Sequence, residues 1–398
     1  MSKVIVHIDL NAFFARAEEI RDPSLENKPV AIGHNGRAGV VSTCSYQARE
    51  YGVRSAMQMK EALRLCPHLI IIPGDYRYYS ALSETFTNFV RKYTKIVEKA
   101  SVDEVYADFT DVLKNVKNPE LFFKDFQNKL FQETKLKCSI GVGPTKFLAK
   151  MASDYKKPMG ITIIRRRDIE KILYPISIND LYGVGKKSAP RLISVGINTV
   201  GDLAKALNED NEDVYNIIGK FSHVLKEWLN GYGDDKVMVE EWDPKSIGNS
   251  TTFKEDTQDY EVIKEYFKYL AREVSDRAKK ESKLGNCIQI MVKDTSYVAH
   301  NKSITFGEPT NDYQTILNYA IKLFDKNYTG IMLRACGVTL QNLVSPQDLA
   351  VQMTFFDYEK HEEENKTKLL INEFNRKLGT NNLKRASEVK KDGSSRRN

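Results

Sequence analysis

The chain has 398 residues, 41% of them hydrophobic and 28% charged, with a net charge of +7; it has apolar material for sizeable cores and is not a wholly disordered polymer. At roughly 150 residues per domain its length predicts two to four domains, and no apolar run approaches the roughly 18 residues needed to span a bilayer. The charge lies in blocks: +6 over residues 376–398, +9 over 135–191 and −6 over 234–261.

In chain order, Val4 to Ile8 reads as a short buried strand ending at Asp9, followed by a helix over 12–20. The opening residues are too short a run and too charged for a signal peptide. A glycine-containing turn from Gly33 to Gly39 precedes Val40-Val41. Helices are predicted over 45–51 and 58–66, the second stopped by Pro67. Ile70-Ile71-Ile72 and Pro73-Gly74 lead into a long amphipathic helix over 78–93. Strands over 96–98 and 105–109 are joined through Ser101-Val102-Asp103-Glu104. Helix 119–134, strand 138–142, helix 146–155 and strand 161–164 follow, and this alternation predicts an α/β (α+β) sheet with helices packed on it.

From 167 to 228 the pattern changes to short helices only, with glycine turns at Gly183-Val184-Gly185 and Gly196. The polar, acidic stretch 231–245 reads as a linker. Beyond it, strand, helix (260–280), strand (287–292), strand (303–306), helix (313–327) and strand (333–340) suit a four-stranded sheet backed by two helices. The periodicity is lost over 345–358, which predicts a tether.

Five cysteines (Cys44, Cys66, Cys138, Cys287, Cys336) are odd in number, far apart and without a C-x-x-C pair. A disulfide framework and a structural zinc site are both disfavoured, and a reducing, cytoplasmic compartment is predicted. The charge blocks read either as ordinary solvated faces or as a surface that draws a polyanion to chosen places.

Three carboxylates stand out. Asp9 ends an apolar strand, where a charge is costly unless it is paired or bound to a metal. Asp103 and Glu104 are neighbours between two strand segments, and an ideal strand would point them to opposite faces. Both can serve one site only at a hairpin end or bulge. Carboxylates from two strands can hold a pair of Mg²⁺ ions with substrate phosphates completing their shells; an acidic strand end beside a solvated hairpin is the competing reading.

The segments His7-Ile8-Asp9-Leu10-Asn11-Ala12-Phe13-Phe14-Ala15 and Ser101-Val102-Asp103-Glu104 resemble the metal-binding motifs of Y-family DNA polymerases, and most of all the family's bacterial polymerase IV branch. The resemblance extends through Thr43 to Arg49, Lys146 to Asp154, Lys157-Pro158-Met159-Gly160 and the Gly183-Val184-Gly185 turn, in the right order along essentially the whole chain. It implies that Asp9, Asp103 and Glu104 are the catalytic carboxylates and hold two Mg²⁺ ions, with the Leu10 carbonyl as a further ligand. It implies that Phe14, five residues after the first Asp, is a steric gate against a ribose 2′-OH, while Phe13 is core. Tyr46 and Arg49 share a helix face; with Lys157 and Thr43 they would hold the triphosphate of a deoxynucleotide. Gly183, Gly185, Lys186 and Lys187 resemble a helix-hairpin-helix that grips DNA phosphates through backbone N–H groups and lysine charge, though an ordinary turn between helices is the alternative. Gln352, Met353, Phe355 and Phe356 resemble the peptide that binds the bacterial sliding clamp, with Met353 and Phe355 in place of the usual leucines; a buried amphipathic scrap is the alternative there.

The fold so implied is a right hand, with a palm (1–10 and 75–166), fingers (11–74), thumb (167–232), linker (233–244), little finger (245–345) and a tether with a basic tail (346–398). The function implied is primer extension on template DNA, of low fidelity and past damaged bases, by a monomer. Two other classes compete: a non-catalytic DNA-binding scaffold recruited to the clamp, and a nucleotidyl cyclase on a similar sheet.

Overall fold

In the computed structural model, which describes residues 3–240, 242–348 and 370, the first strand runs past its predicted end. β1 (Ile5–Leu10) is buried along its whole length, so Asp9 and Leu10 lie inside a sheet. Long-range partners fix the extension: Leu10 N donates to the Asp103 carbonyl at 2.9 Å, and Asn11 N to the Lys137 carbonyl at 2.8 Å. The chain then turns at Ala12, whose φ of 47° is left-handed and unfavourable for a residue with a side chain. Helix α1 (Phe13–Arg21) follows.

Next come β2 (Val30–Ile32), β3 (Thr43–Cys44), α2 (Tyr46–Glu50), α3 (Met59–Leu65) and β4 (Ile70–Ile72). The strands form a sheet of order β3-β2-β4 over a core that includes Ala31, Cys44, Ala48 and Met59. Ser45 caps α2, its hydroxyl accepting from Ala48 N and donating to the Lys28 carbonyl. Helix α4 (Tyr76–Arg91) begins two residues before its predicted start because the Asp75 side chain caps it, accepting from Tyr78 N.

The remaining elements of the first unit's main sheet are β5 (Val97–Lys99), β6 (Glu104–Asp108), α5 (Thr110–Leu113), α6 (Pro119–Thr134), β7 (Cys138–Gly143), α7 (Lys146–Tyr155) and β8 (Ile161–Ile163). Strand order is β5-β6-β1-β7-β8, with β1 antiparallel to both neighbours. Alternate residues of β1 face opposite ways. Val6, Ile8 and Leu10 join Phe86, Phe89, Phe123 and Phe126 in the core under α4 and α6. Ile5, His7 and Asp9 turn toward α7. That helix lies close because β7 carries Gly141 and Gly143; a Cβ at Gly141 would run into the Ala149 carbonyl and the Ser153 nitrogen.

The other side of α7 packs Phe147, Leu148 and Met151 against α8 (Ile169–Ile172), α9 (Ser188–Ser194), α10 (Val200–Asn208), α11 (Glu212–Ile218) and α12 (Phe221–Leu229). The acidic stretch predicted as a linker is held over 234–238 rather than loose. The Asp234 carbonyl accepts from Lys146 N, Met238 N donates to a Glu98 carboxylate oxygen, and Val237 is buried with Ile5 and Ala149. Its acids pair with Lys3 and Lys146. The first compact unit therefore extends to Asp243, and the second begins at Pro244.

The second unit contains β9 (Ser246–Thr257), α13 (Tyr260–Lys280), β10 (Leu284–Asp294), β11 (Ala299–Thr310), α14 (Tyr313–Asn327) and β12 (Leu333–Val344). Its antiparallel sheet has the order β11-β10-β12-β9. The two helices cover one face, where Phe267, Leu270, Val274 and Phe324 meet Ile288, Ile290, Val292 and Val338. The strands outrun their predicted lengths because their polar outer ends remain paired. Among the described residues no helix is long and apolar enough to cross a membrane. Gln352 to Phe356 lie outside the described residues.

Candidate active site

Asp9 of β1 stands directly opposite Glu104 of β6. Two carboxylates across one ladder repel each other unless a cation lies between them. Asp103 precedes β6 and so lies outside the ladder, with the Ser101 hydroxyl donating to its Oδ1 at 2.6 Å. Freed from strand alternation, Asp103 lines the same cavity as Glu104.

Two ammonium groups meet the acids. Lys150, 9% exposed, donates to Glu104 Oε1 at 2.7 Å and to Asp9 Oδ2 at 3.3 Å, and lies 3.4 Å from Asp154. Lys157 donates to Asp9 Oδ2 at 2.7 Å and pairs with Asp154 at 2.6 Å. Burial and the Glu104 carboxyl nonetheless push Asp9 up to about 7, against the pull of both lysines. Burial would raise Glu104 as well, but contacts with His7, Asp9 and Lys150 outweigh it and hold Glu104 well below the usual carboxylate range. His7 is fully buried, with Nδ1 2.8 Å from the Ser153 hydroxyl and Nε2 3.6 Å from Glu104 Oε2. Burial lowers its pKa.

Nine of the residues singled out in the sequence line one cavity of about 360 Å³: Asp9, Leu10, Phe14, Thr43, Tyr46, Arg49, Asp103, Glu104 and Lys157. The acids lie with Lys157 on one side, and Tyr46 and Arg49 come from α2. The Arg49 guanidinium sits over the Tyr46 ring, 4.7 Å from its centre. Phe14 stacks on Tyr79 at 4.4 Å between ring centres, and the Tyr79 hydroxyl donates to Glu18 at 2.7 Å. The Phe14 ring thus has a fixed backing, while Phe13 is buried in the core.

Gly183, Gly185, Lys186 and Lys187 are elsewhere, in an exposed turn leading into α9. Gly183 has a φ of 93°, and a Cβ there would press on the Phe221 ring. Sequence reasoning missed Lys150 and His7. A signal existed: residues 147–152 are apolar except Lys150, and a helix apolar all round is buried, so its lysine needs a buried partner.

The donor set suits hard divalent cations: carboxylates at a cavity wall, with no thiol or imidazole among its lining residues. As the side chains stand, no group of three His, Cys, Asp or Glu among the described residues is arranged to hold a metal ion. The ammoniums of Lys150 and Lys157 occupy Asp9 Oδ2 and Glu104 Oε1 instead. The residues fit the ions in chemistry.

Residues 8–154 match the impB/mucB/samB family, 166–197 the IMS family HHH motif, and 244–355 the impB/mucB/samB family C-terminal domain. The chain is 36% identical to the DNA polymerase IV of Bacillus velezensis, across 99% of this chain and 95% of that protein. It is also 36% identical to DNA polymerase IV 1 of Bacillus subtilis, with the same two coverages. Among solved structures it resembles a Y-family DNA polymerase chimera with a TM-score of 0.75 and 27% identity, over 86% of this chain and 99% of the other.

Proposed function

Because the chain belongs to the Y family of DNA polymerases and is a DNA-directed DNA polymerase, we propose that it extends primers past damaged template bases, with low fidelity, by two-metal phosphoryl transfer. The observation that carries this reading is Asp9 opposite Glu104, with Asp103 beside them, on a cavity whose other walls include Tyr46, Arg49 and Lys157. The primer 3′-OH attacks the α-phosphate of a deoxynucleotide, a new P–O bond forms, and pyrophosphate leaves. Asp9, Asp103, Glu104 and the Leu10 carbonyl would hold two Mg²⁺ ions, which would supply activation of that hydroxyl and neutralise charge on the leaving oxygen. Arg49, Tyr46 and Lys157 bind the triphosphate, with Thr43 adding a hydroxyl, and Phe14 excludes the 2′-OH.

In this reading residues 1–10 and 75–166 are the palm, 11–74 the fingers, 167–232 the thumb and 245–345 the little finger. Gly183, Gly185, Lys186 and Lys187 grip DNA phosphates without reading sequence. The enzyme works as a monomer in the cytoplasm and is tethered to a sliding clamp through Gln352, Met353, Phe355 and Phe356. Tethering raises effective concentration without a new active-site contact. Replacing Phe355 and Phe356 together by Ala is expected to bring the nucleotides added per binding event with loaded clamp down to the clamp-free value; wild-type clamp affinity in that variant would reassign the tether. Incubation with primed template, deoxynucleotides and Mg²⁺, on damaged and undamaged templates, tests the central claim. A protein that binds DNA without extending it is the scaffold, and one that cyclises nucleotides without a primer is the cyclase.

A further inference from the structure

The two lysines at the acids are not equivalent. Lys150 has its ammonium on Asp9, Glu104 and Asp154, its side chain is 11% exposed, and it is not among the residues lining the cavity. Lys157 has its ammonium on Asp9 and on the exposed Asp154, is 25% exposed, sits just beyond the end of α7, and lines the cavity together with Tyr46 and Arg49. Lys150 therefore lies behind the carboxylates and Lys157 in front of them. Both donate to one atom, Asp9 Oδ2.

A divalent cation entering from the cavity meets the Lys157 ammonium, 2.7 Å from that oxygen and on the cavity side, and like charges so close in a partly buried site exclude each other. Lys150 is 3.3 Å from it, off the cavity, and has its shorter contact, 2.7 Å, with Glu104. We infer that Lys157 is an exchangeable counter-ion of Asp9, neutralising it until the phosphates of an incoming nucleotide draw the ammonium across the cavity and free Asp9 for a divalent cation. Lys150 is the fixed counter-ion that stays. The inference rests on the polymerase reading, because it takes a nucleotide triphosphate as the group that draws Lys157 away. Binding linkage is reciprocal: if the nucleotide strengthens metal binding by removing Lys157, the metal strengthens nucleotide binding by the same factor. Metal alone is then held weakly, and the site completes itself only when a nucleotide is present.

The test is Mn²⁺ binding to the full-length chain without nucleotide, read from the electron paramagnetic resonance signal of free Mn²⁺. Lys157→Met and Lys157→Gln are expected to bind Mn²⁺ about tenfold more tightly than wild type, while both raise the KM for deoxynucleotide in primer extension. Lys156→Met removes the same charge from the exposed neighbouring position and is expected to change Mn²⁺ affinity by less than about twofold, because solvent and salt screen it. Adding Asp9→Asn to Lys157→Met should abolish the gain. Unchanged or weaker Mn²⁺ binding in both Lys157 variants overturns the exchange, as does an equal gain in Lys156→Met. Mg²⁺-dependent extension by the same wild-type preparation keeps the two claims apart. Its absence removes the polymerase reading, and its presence with unmoved Mn²⁺ affinity removes only the exchange.

Discussion

The two main sheets of the molecule share a design on one face and differ on the other. Each has an apolar face covered by a pair of helices, α4 and α6 in the first unit, α13 and α14 in the second. In the first unit α7 covers the opposite face as well, and the charged groups His7, Asp9, Glu104 and Lys150 are caught beneath it. In the second unit the strand positions that alternate with the core residues Ile288, Ile290 and Val292 are Gln289, Met291 and Lys293, all partly exposed. A Gln341 amide donates to Gln289 across that face at 2.9 Å. A covered face fixes charges in one geometry, as chemistry demands. On a partly exposed polar face a neighbouring charge is worth little and alignment can vary.

The largest expected effect comes from breaking the covered face at its acids. Asp103→Ala removes a proposed metal ligand beside that face without touching the second sheet or the Gly183 turn. Primer extension should fall by orders of magnitude, with DNA affinity changed by less than about 1.4 kcal/mol, or tenfold. Near-normal extension in a primed-template assay would remove Asp103 from the metal site.

Next in size is a change at the floor beneath α7. Gly141→Ala drives a methyl group into the Ala149 carbonyl and the Ser153 nitrogen, and overpacking of this kind costs about 1–3 kcal/mol. Gly307 lies on β11 with nothing within 4 Å of the position a Cβ would take, so Gly307→Ala should stay within about 0.5 kcal/mol. Urea unfolding of the two variants measures the contrast. Equal stabilities would mean that α7 rides over the first sheet as loosely as solvent covers the second.

How much of this contrast could be read from sequence differs from part to part. The alternation in β1 and the acids Asp9, Asp103 and Glu104 were legible, because a charge in an apolar run is a local signal. The true end of β1 was not, since the hydrogen bonds that extend it come from Asp103 and Lys137, far along the chain. The acidic stretch 234–238 read as a linker for the same reason: Lys3, Glu98 and Lys146 hold it, and no local pattern names them. Lys150 was visible as an anomaly in an apolar helix, but its partners required the close approach that Gly141 allows. The second unit was legible throughout in element order, because its helices and strands alternate with their own periodicity; only strand ends escaped.

Phe14 probes how rigid the covered side is at its edge. Its ring is backed by Tyr79, which is held by Glu18, so removing the ring opens space that the backing does not fill. Phe14→Ala should shift the ratio of kcat/KM values for ribonucleotide and deoxynucleotide toward the ribonucleotide by about tenfold, the size of one lost steric contact. An unchanged ratio would make Phe14 another core ring like Phe13.

The smallest effect belongs to the partly exposed face. Lys293 is partly exposed next to the core residue Val292 on β10, and a lysine there can meet a DNA phosphate but contributes through screened electrostatics. Neutralising one phosphate contact reduces the slope of log affinity against log salt by about 1. Lys293→Ala should therefore weaken DNA binding a few-fold at low salt, with the loss fading as salt approaches the point where the Debye length falls to about 8 Å. Fluorescence anisotropy of a labelled primed template across a salt series measures both numbers. A loss that persists undiminished at high salt would mean that Lys293 acts through a desolvated, fixed contact, and the second sheet would then resemble the first far more than its exposed polar face implies.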